Sequence, residues 1–174
     1  MKRTILIFIL TLAASAAGAR EVYNINRGWQ FFSNYEVNSD GAQEVNLPHV
    51  WNYDALGGKR DYFRGVGNYL KTINIPEAWR GKRIFIRSYG ANSVANVLVN
   101  NRLVGEHRGG YTAFTYAITD HISFGRPNRF WIMVNNSPRT DVLPTAGDQN
   151  VYGGLFRDVE LIVTGSEIVS PADY

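Results

Sequence analysis

The pattern of apolar and polar positions along the chain predicts strands and hardly any helix. Around Ile84 and Ile86, the apolar residues alternate with Arg83, Phe85 and Arg87 on the other face, which is the period of two of a strand. Seven segments show such an alternation or a short apolar run: 30–32, 45–47, 69–75, 83–89, 94–99, 130–134 and 158–163. Short strands at this spacing are typical of an all-β sandwich or jelly roll.

The last two of these segments predict which residues enter the core. We expect one buried face in each, with Trp131, Met133 and Ile162 on the opposite faces. The residues predicted to point inward are Phe130, Ile132, Val134, Val159, Leu161 and Val163.

Turn-forming residues separate the predicted strands. Asn100 and Asn101 lie between two strand-like segments and predict a tight hairpin, because asparagine tolerates positive φ. Pro76 lacks an N–H and is expected to end the strand before it. Two long polar regions, 48–67 and 137–154, contain embedded aromatic residues and are where we expect a binding site.

The first 19 residues have the pattern of a secretory signal peptide. Lys2 and Arg3 precede an apolar run over 5–14, and Ala17-Gly18-Ala19 offers a cleavage site. The run is too short for a bilayer core, which needs about 20 residues. We therefore expect an exported protein, periplasmic or extracellular, with no membrane span after cleavage. The predicted mature domain covers 20–165.

Charge and composition exclude several classes of function. The formal net charge is +3, and removing Lys2 and Arg3 lowers it by two, to +1. The remaining charges are interspersed, whereas nucleic-acid binding needs clustered Lys and Arg. The chain contains no cysteine, so packing and hydrogen bonds must hold the core. Aromatic residues make up 13% of the chain, and their rings can fill a core or stack on sugars.

No constellation of catalytic or metal-binding residues is recognisable in the sequence. Glycoside hydrolysis normally requires two carboxyl groups, and the sequence offers no such pair in a catalytic context. His49, His107 and His121 are far apart and lack metal-ligand spacing. We therefore predict no catalytic residue, no metal and no cofactor in this chain.

The loop before the last strand has polar groups suited to a sugar. Asp148 and Asn150 present a carboxylate and an amide close to a glycine pair, Gly153-Gly154. A carboxylate can bind two neighbouring hydroxyl groups, and amides can complete the set. The same residues could instead form an Asx-turn that only shapes the loop. The residues alone leave both interpretations open.

Four stretches, in this order, resemble the N-terminal sugar-binding domain of glycoside hydrolase family two. That family includes β-galactosidases, β-glucuronidases and β-mannosidases. The stretches are Asn46-Leu47-Pro48-His49-Val50-Trp51, Tyr62-Phe63-Arg64-Gly65-Val66-Gly67-Asn68-Tyr69, the hairpin from Val97 to Gly105 continuing to Phe114, and Gly153-Gly154-Leu155-Phe156-Arg157-Asp158-Val159.

The resemblance implies a jelly-roll β-sandwich of the galactose-binding-domain type. It further implies an immunoglobulin-like domain and a TIM barrel with two catalytic glutamates after this domain, reached through a linker that starts at 166–174. In galactosidases of the family, an aspartate six residues before the glycine of the Gly-hydrophobic-Phe-Arg motif binds sugar hydroxyls, and this position is Asp148. Arg64 is a further candidate by the same resemblance. Val50 stands where an aspartate is frequent, which favours a structural role for His49.

We therefore expect substrate-binding roles for Asp148, Arg64 and Asn150. The leading hypothesis is an accessory domain that completes the terminal-sugar subsite of a retaining exo-β-glycosidase, with β-galactosidase as the preferred class. One alternative is a free-standing carbohydrate-binding module that uses Trp51 or Tyr152. The other is a purely structural sandwich between domains.

Overall fold

The computed structural model describes residues 20–33, 41–53, 62–145 and 150–166. The predicted signal peptide (1–19), Asp148 and the predicted linker after residue 166 lie outside these ranges. Within the described ranges, ten strands form two antiparallel sheets. The strands are β1 (Glu21–Asn24), β2 (Trp29–Ser33), β3 (Gln43–Val45), β4 (Val66–Ile75), β5 (Arg83–Ser88), β6 (Val94–Val99), β7 (Arg102–Arg108), β8 (Phe114–Ala117), β9 (Arg126–Asn135) and β10 (Val159–Thr164).

The two sheets face each other as a jelly-roll β-sandwich. The smaller sheet has the order β1-β10-β5-β8, and the larger sheet has the order β3-β2-β4-β9-β6-β7. Most strands that are neighbours within a sheet are distant along the chain. For example, the last strand, β10, lies between β1 and β5. The longest pairing joins β4 to β9, from Val66 opposite Asn135 to Ile75 opposite Arg126. The predicted all-β sandwich is confirmed.

The core lies between the inner faces of the two sheets. Trp29, Tyr69 and Phe130 from the larger sheet meet Ile86 and Leu161 from the smaller one, and all five are almost fully buried. The indole Nε1 of Trp29 donates a 2.7 Å hydrogen bond to the carbonyl of Ile25, so this ring enters the core with its polar group satisfied. All six residues predicted to point inward from β9 and β10 are buried.

The outer face of the smaller sheet differs from the prediction. Phe85 and Ile162 point away from the core, yet both are fully buried. They are direct cross-strand partners in the pairing of β5 with β10. The guanidinium of Arg83 lies 5.1 Å from the centre of the Phe85 ring, as expected when a long cationic side chain covers apolar surface. Alternation therefore identifies the two faces correctly but does not show that both are covered.

Strand boundaries shift where local pattern and pairing disagree. The strand expected at 45–47 lies at Gln43–Val45, because the backbone N–H of Leu47 donates a hydrogen bond to the carbonyl of Asn26 instead of pairing within the sheet. β4 and β9 extend beyond their predicted apolar segments, because their backbones pair with each other over the full length of both strands. β1 and β8 are only four residues long and were not predicted; they are the two edge strands of the smaller sheet.

The predicted turns are confirmed. Asn100 and Asn101 have φ values of 50° and 63° and connect β6 to β7. β4 ends at Ile75, directly before Pro76. Across the described segments, no helix has the length and apolar character needed to cross a membrane.

Candidate functional site

Three loop segments meet at one end of the sandwich, which we call the loop end. They are 46–53 and 62–65, which lie between β3 and β4, and 150–158, which precedes β10. The backbone N–H groups of His49 and Trp51 donate to the carbonyls of Leu155 (2.8 Å) and Gly153 (3.2 Å). These bonds join two loops that are about one hundred residues apart in the sequence, so the loop end is a defined surface.

Asn136, directly after β9, is a central hydrogen-bonding residue of the loop end. Its side chain is fully buried and accepts a 2.8 Å hydrogen bond from the N–H of Gly65. Its Nδ2 donates to the carbonyl of Val151 (2.8 Å) and to Oδ1 of Asn52 (3.4 Å). Its own carbonyl accepts a 2.9 Å bond from Nε of Arg64. One amide therefore fixes segments from all three loops.

Asn52 completes this network. It is also buried, and its Nδ2 donates to the carbonyl of Phe63 at 2.7 Å. Its Oδ1 accepts from the N–H of Gly153 at 2.7 Å, in addition to the bond from Asn136. Buried amides with every group paired give a rigid local geometry, so the network forms a scaffold under the surface residues.

The glycine pair lets the loops approach each other closely. A Cβ atom at Gly153 would lie 1.8 Å from the Trp51 indole. A Cβ atom at Gly154 would lie 2.2 Å from the carbonyl oxygen of His49, and Gly154 has a φ of +140°. Only glycine adopts that backbone conformation readily. The glycine pair therefore has a structural role at the loop end.

His49 has structural contacts, as its sequence context suggested. Its Nδ1 shares a 2.8 Å hydrogen bond with the Tyr69 hydroxyl, and its ring centre lies 4.7 Å from that of Phe31. The Tyr69 hydroxyl also accepts a 3.4 Å bond from the N–H of Leu155. Burial raises the pKa of Tyr69, so the phenol stays protonated and bridges the core to the loop end.

A pocket of about 310 Å³ opens at the loop end. Asn150 and Asn52 line it together with Tyr53, Tyr62 and Tyr152. Burial is the main cause that raises the pKa of Tyr62 and of Tyr152. Both phenols therefore remain hydrogen-bond donors and acceptors at neutral pH, next to apolar ring faces. Aromatic walls with a few polar groups are the composition of a typical small-ligand pocket.

The structure brings two of the three predicted site residues to the loop end. Arg64 is held by the carbonyl of Asn136, and Asn150 is exposed at the pocket, next to Val151, which Asn136 also holds. Asp148 lies outside the described residues, between Thr145 and Asn150. Its role therefore stays a prediction.

The two aromatic residues proposed for a free-standing module differ in their surroundings. The Trp51 ring stacks on Phe31, with centres 5.8 Å apart, and its Nε1 donates to the carbonyl of Phe63 at 3.3 Å. Trp51 is therefore part of the loop packing. Tyr152 lines the pocket, and Tyr53 beside it is 75% exposed.

Two important residues, Asn52 and Asn136, were not identified from the sequence. Their only sequence signal is position, since Asn52 follows Trp51 in a loop and Asn136 follows the end of a predicted strand. Isolated asparagines of this kind usually indicate a turn. Within the parts of the chain that the structure describes, no group of three His, Asp or Glu residues is placed to hold a metal ion.

Comparisons with known proteins identify the family. The model of the glycosyl hydrolases family 2 sugar binding domain matches residues 58–165. A β-glucuronidase of Bacteroides fragilis is 44% identical over 169 residues, which is 97% of this chain and 24% of that protein. A β-galactosidase of Thermoanaerobacter pseudethanolicus is 31% identical over 82% of this chain and 21% of its own length. The chain thus spans about a quarter or less of these relatives.

Solved structures agree with this match. The crystal structure of a Bacteroides uniformis β-glucuronidase superposes with a TM-score of 0.77 and 35% sequence identity, over 84% of this chain and 18% of that one. The family model covers β4 to β10, the glycine pair and the loop segments 62–65 and 150–158, whereas β1 to β3 and the segment 46–53 precede it. This chain belongs to glycoside hydrolase family 2 and corresponds to the N-terminal sugar-binding domain of its members.

Proposed function

We propose that this domain helps to form the terminal-sugar subsite of a retaining exo-β-glycosidase. The observation that carries the proposal is the Asn52–Asn136 network, which holds Arg64 and Val151, the neighbour of Asn150, at the loop end. Residues 146–149, with Asp148, directly precede Asn150 along the chain. The two catalytic carboxyl groups, about 5 to 5.5 Å apart in a retaining enzyme, would be supplied by a separate catalytic domain.

We propose β-glucuronides as the substrate class. The sequence alone favoured β-galactosides, whereas the 44% identity to the Bacteroides fragilis β-glucuronidase supports the other sugar. The two glycones differ in the configuration at C4 and in the group at C6, which is a carboxylate in the glucuronide and a hydroxymethyl group in the galactoside. A site can discriminate strongly between a charged and a neutral group. We expect the full-length enzyme to hydrolyse 4-nitrophenyl β-D-glucuronide with a kcat/KM at least about 100-fold above that for the β-D-galactoside, or ~2.7 kcal/mol. A preference for the galactoside would contradict the proposal.

Replacing Asp148 by alanine tests the subsite role directly. If its carboxylate binds substrate hydroxyls more tightly in the transition state, its loss lowers kcat in the full-length enzyme by about 100-fold, or ~2.7 kcal/mol of barrier. Steady-state kinetics on the aryl glycoside measure this. Activity within about twofold of the wild type would contradict the role.

Asp141 provides the matched control for this experiment. It lies in the same connection between β9 and β10, is exposed, and pairs with Arg108 and Arg139. Asp141→Ala removes a carboxylate of the same size without touching the loop-end network. We expect its kcat to stay within about twofold of the wild type. An equal loss in both variants would indicate a general effect of charge on the loop.

We also propose that the protein is exported by the leader at 1–19. Lys2 and Arg3, the apolar run and Ala17-Gly18-Ala19 support this. N-terminal sequencing of the protein from a secreting host is expected to start at Arg20. A protein that keeps Met1 and stays in the cytoplasm would contradict export.

A further inference from the structure

A groove of about 290 Å³ lies on the outer face of the larger sheet, away from the core. Its floor is formed by β4, β9 and β6, which are neighbours in that sheet. The register aligns its residues in rows across the strands. In one row Asn68 and Asn96 flank Met133 on either side. In the next row Leu70 and Leu98 flank Trp131.

The groove combines one indole ring with side-chain amides. Trp131 is half-buried, and its Nε1 donates a 3.1 Å hydrogen bond to Oδ1 of Asn68. This bond fixes the indole relative to the amide. The guanidinium of Arg129 lies 5.4 Å from the ring centre and braces the indole further. An aromatic platform that is already oriented loses little conformational entropy when a ligand stacks on it.

The polar groups of the groove have the spacing of a small ligand. Neighbouring strands are about 4.8 Å apart, so Asn68 and Asn96, two strands apart, are separated by roughly 10 Å at the backbone. Asn96 is half-buried and offers its amide to the groove, whereas Asn68 is almost fully buried and its Oδ1 accepts the bond from the Trp131 indole. The volume of the groove is at the lower end for small-molecule pockets. Asn135 adds a third amide in the row nearer the loop end.

The lining of the groove favours a neutral, hydroxylated ligand. The residues that line it are three asparagines, one tryptophan and three apolar side chains, and the guanidinium of Arg129 contacts the indole without being among them. Amides supply both donors and acceptors, which match hydroxyl groups, and the indole offers an apolar face. A pyranose has both features, since its C–H face is apolar and its rim carries hydroxyls.

We propose that this groove is a second carbohydrate site, which binds one neutral pyranose unit against Trp131. It is separate from the loop end, because its residues project from the outer face of the sheet whereas Asn52, Asn150 and Tyr152 line the pocket at the loop end. The proposal does not depend on the proposed function. A neutral sugar bound here would attach the domain to a carbohydrate chain at a second point.

Titration of the full chain with sugars tests this site. Tryptophan fluorescence and ligand-observed NMR would follow cellobiose, lactose and, as a charged counterpart, methyl β-D-glucuronide. We expect a saturable, millimolar interaction with at least one neutral disaccharide and weaker binding of the glucuronide. Trp131→Ala is expected to weaken binding at least about 10-fold, and Asn96→Ala about 5-fold, with unchanged far-UV circular dichroism.

Control variants distinguish binding in this groove from binding elsewhere on the domain. Trp79→Ala removes a tryptophan that lies in a short 3₁₀ helix (Glu77–Trp79) outside the groove, and is expected to leave binding unchanged. Should Trp131→Ala not fold, Asn96→Ala alone decides the question. Absence of saturable binding of either neutral sugar up to about 20 mM, well above the expected millimolar range, would overturn the proposal. Binding that is lost in Asp148→Ala but kept in both groove variants would also overturn it.

Discussion

Gly154→Ala is expected to lower the free energy of unfolding by about 3 to 5 kcal/mol, from backbone strain and steric overlap together. The residue has a φ of +140°, and its Cβ would meet the backbone carbonyl of His49 at 2.2 Å. The N–H of the same residue, His49, donates a hydrogen bond to the carbonyl of Leu155. The His49 backbone therefore has little freedom to move away from the added Cβ. Chemical denaturation followed by fluorescence measures the change.

Other glycines separate the two contributions. Gly81 has a φ of +84° with nothing within 4 Å of a Cβ, so Gly81→Ala measures backbone strain alone, about 1 to 2 kcal/mol. Gly153→Ala measures overlap with the Trp51 indole, without a positive φ. Gly41→Ala has neither and is expected to change stability by less than about 0.5 kcal/mol. If Gly154→Ala lowered the free energy of unfolding no more than Gly81→Ala does, the close approach of the His49 carbonyl would make no contribution to the destabilisation.

Asn136→Ala is expected to lower the free energy of unfolding by about 3 kcal/mol, because three buried hydrogen bonds are lost and their partners stay buried. The partners are the N–H of Gly65, the carbonyl of Val151 and the side chain of Asn52. In the folded full-length enzyme we also expect kcat/KM to fall about 10-fold, since misplaced binding groups lose orientation. Denaturation and steady-state kinetics measure the two effects separately.

Asn128 is the matched control at the other end of β9. It is equally buried, and its side chain bonds the N–H and carbonyl of Ser123, the carbonyl of Arg126 and Nδ2 of Asn100. Asn128→Ala should therefore destabilise the domain by a similar amount, about 3 kcal/mol. Because it is far from the loop end, its kcat/KM should stay within about twofold. If both variants lost the same activity, the loop-end network would have no special role in catalysis.

The sequence by itself determined the sandwich and the inner faces of its main strands. Alternation with period two is a local signal, and it identified the inward residues of β9 and β10 because a strand turns successive side chains to opposite faces. The hairpin at Asn100-Asn101 was equally local, since asparagine accepts positive φ. Four motifs in order were enough to indicate the family.

Only the tertiary structure decided which outer faces are covered and how the loops are joined. Phe85 and Ile162 are buried because they become neighbours across two strands that are far apart in the sequence. Asn52 and Asn136 are 84 residues apart, and neither has a local pattern that marks it. A hydrogen bond between two amides adds little in water, because water competes for both. It becomes important at this loop end only because folding removes the water from both residues together.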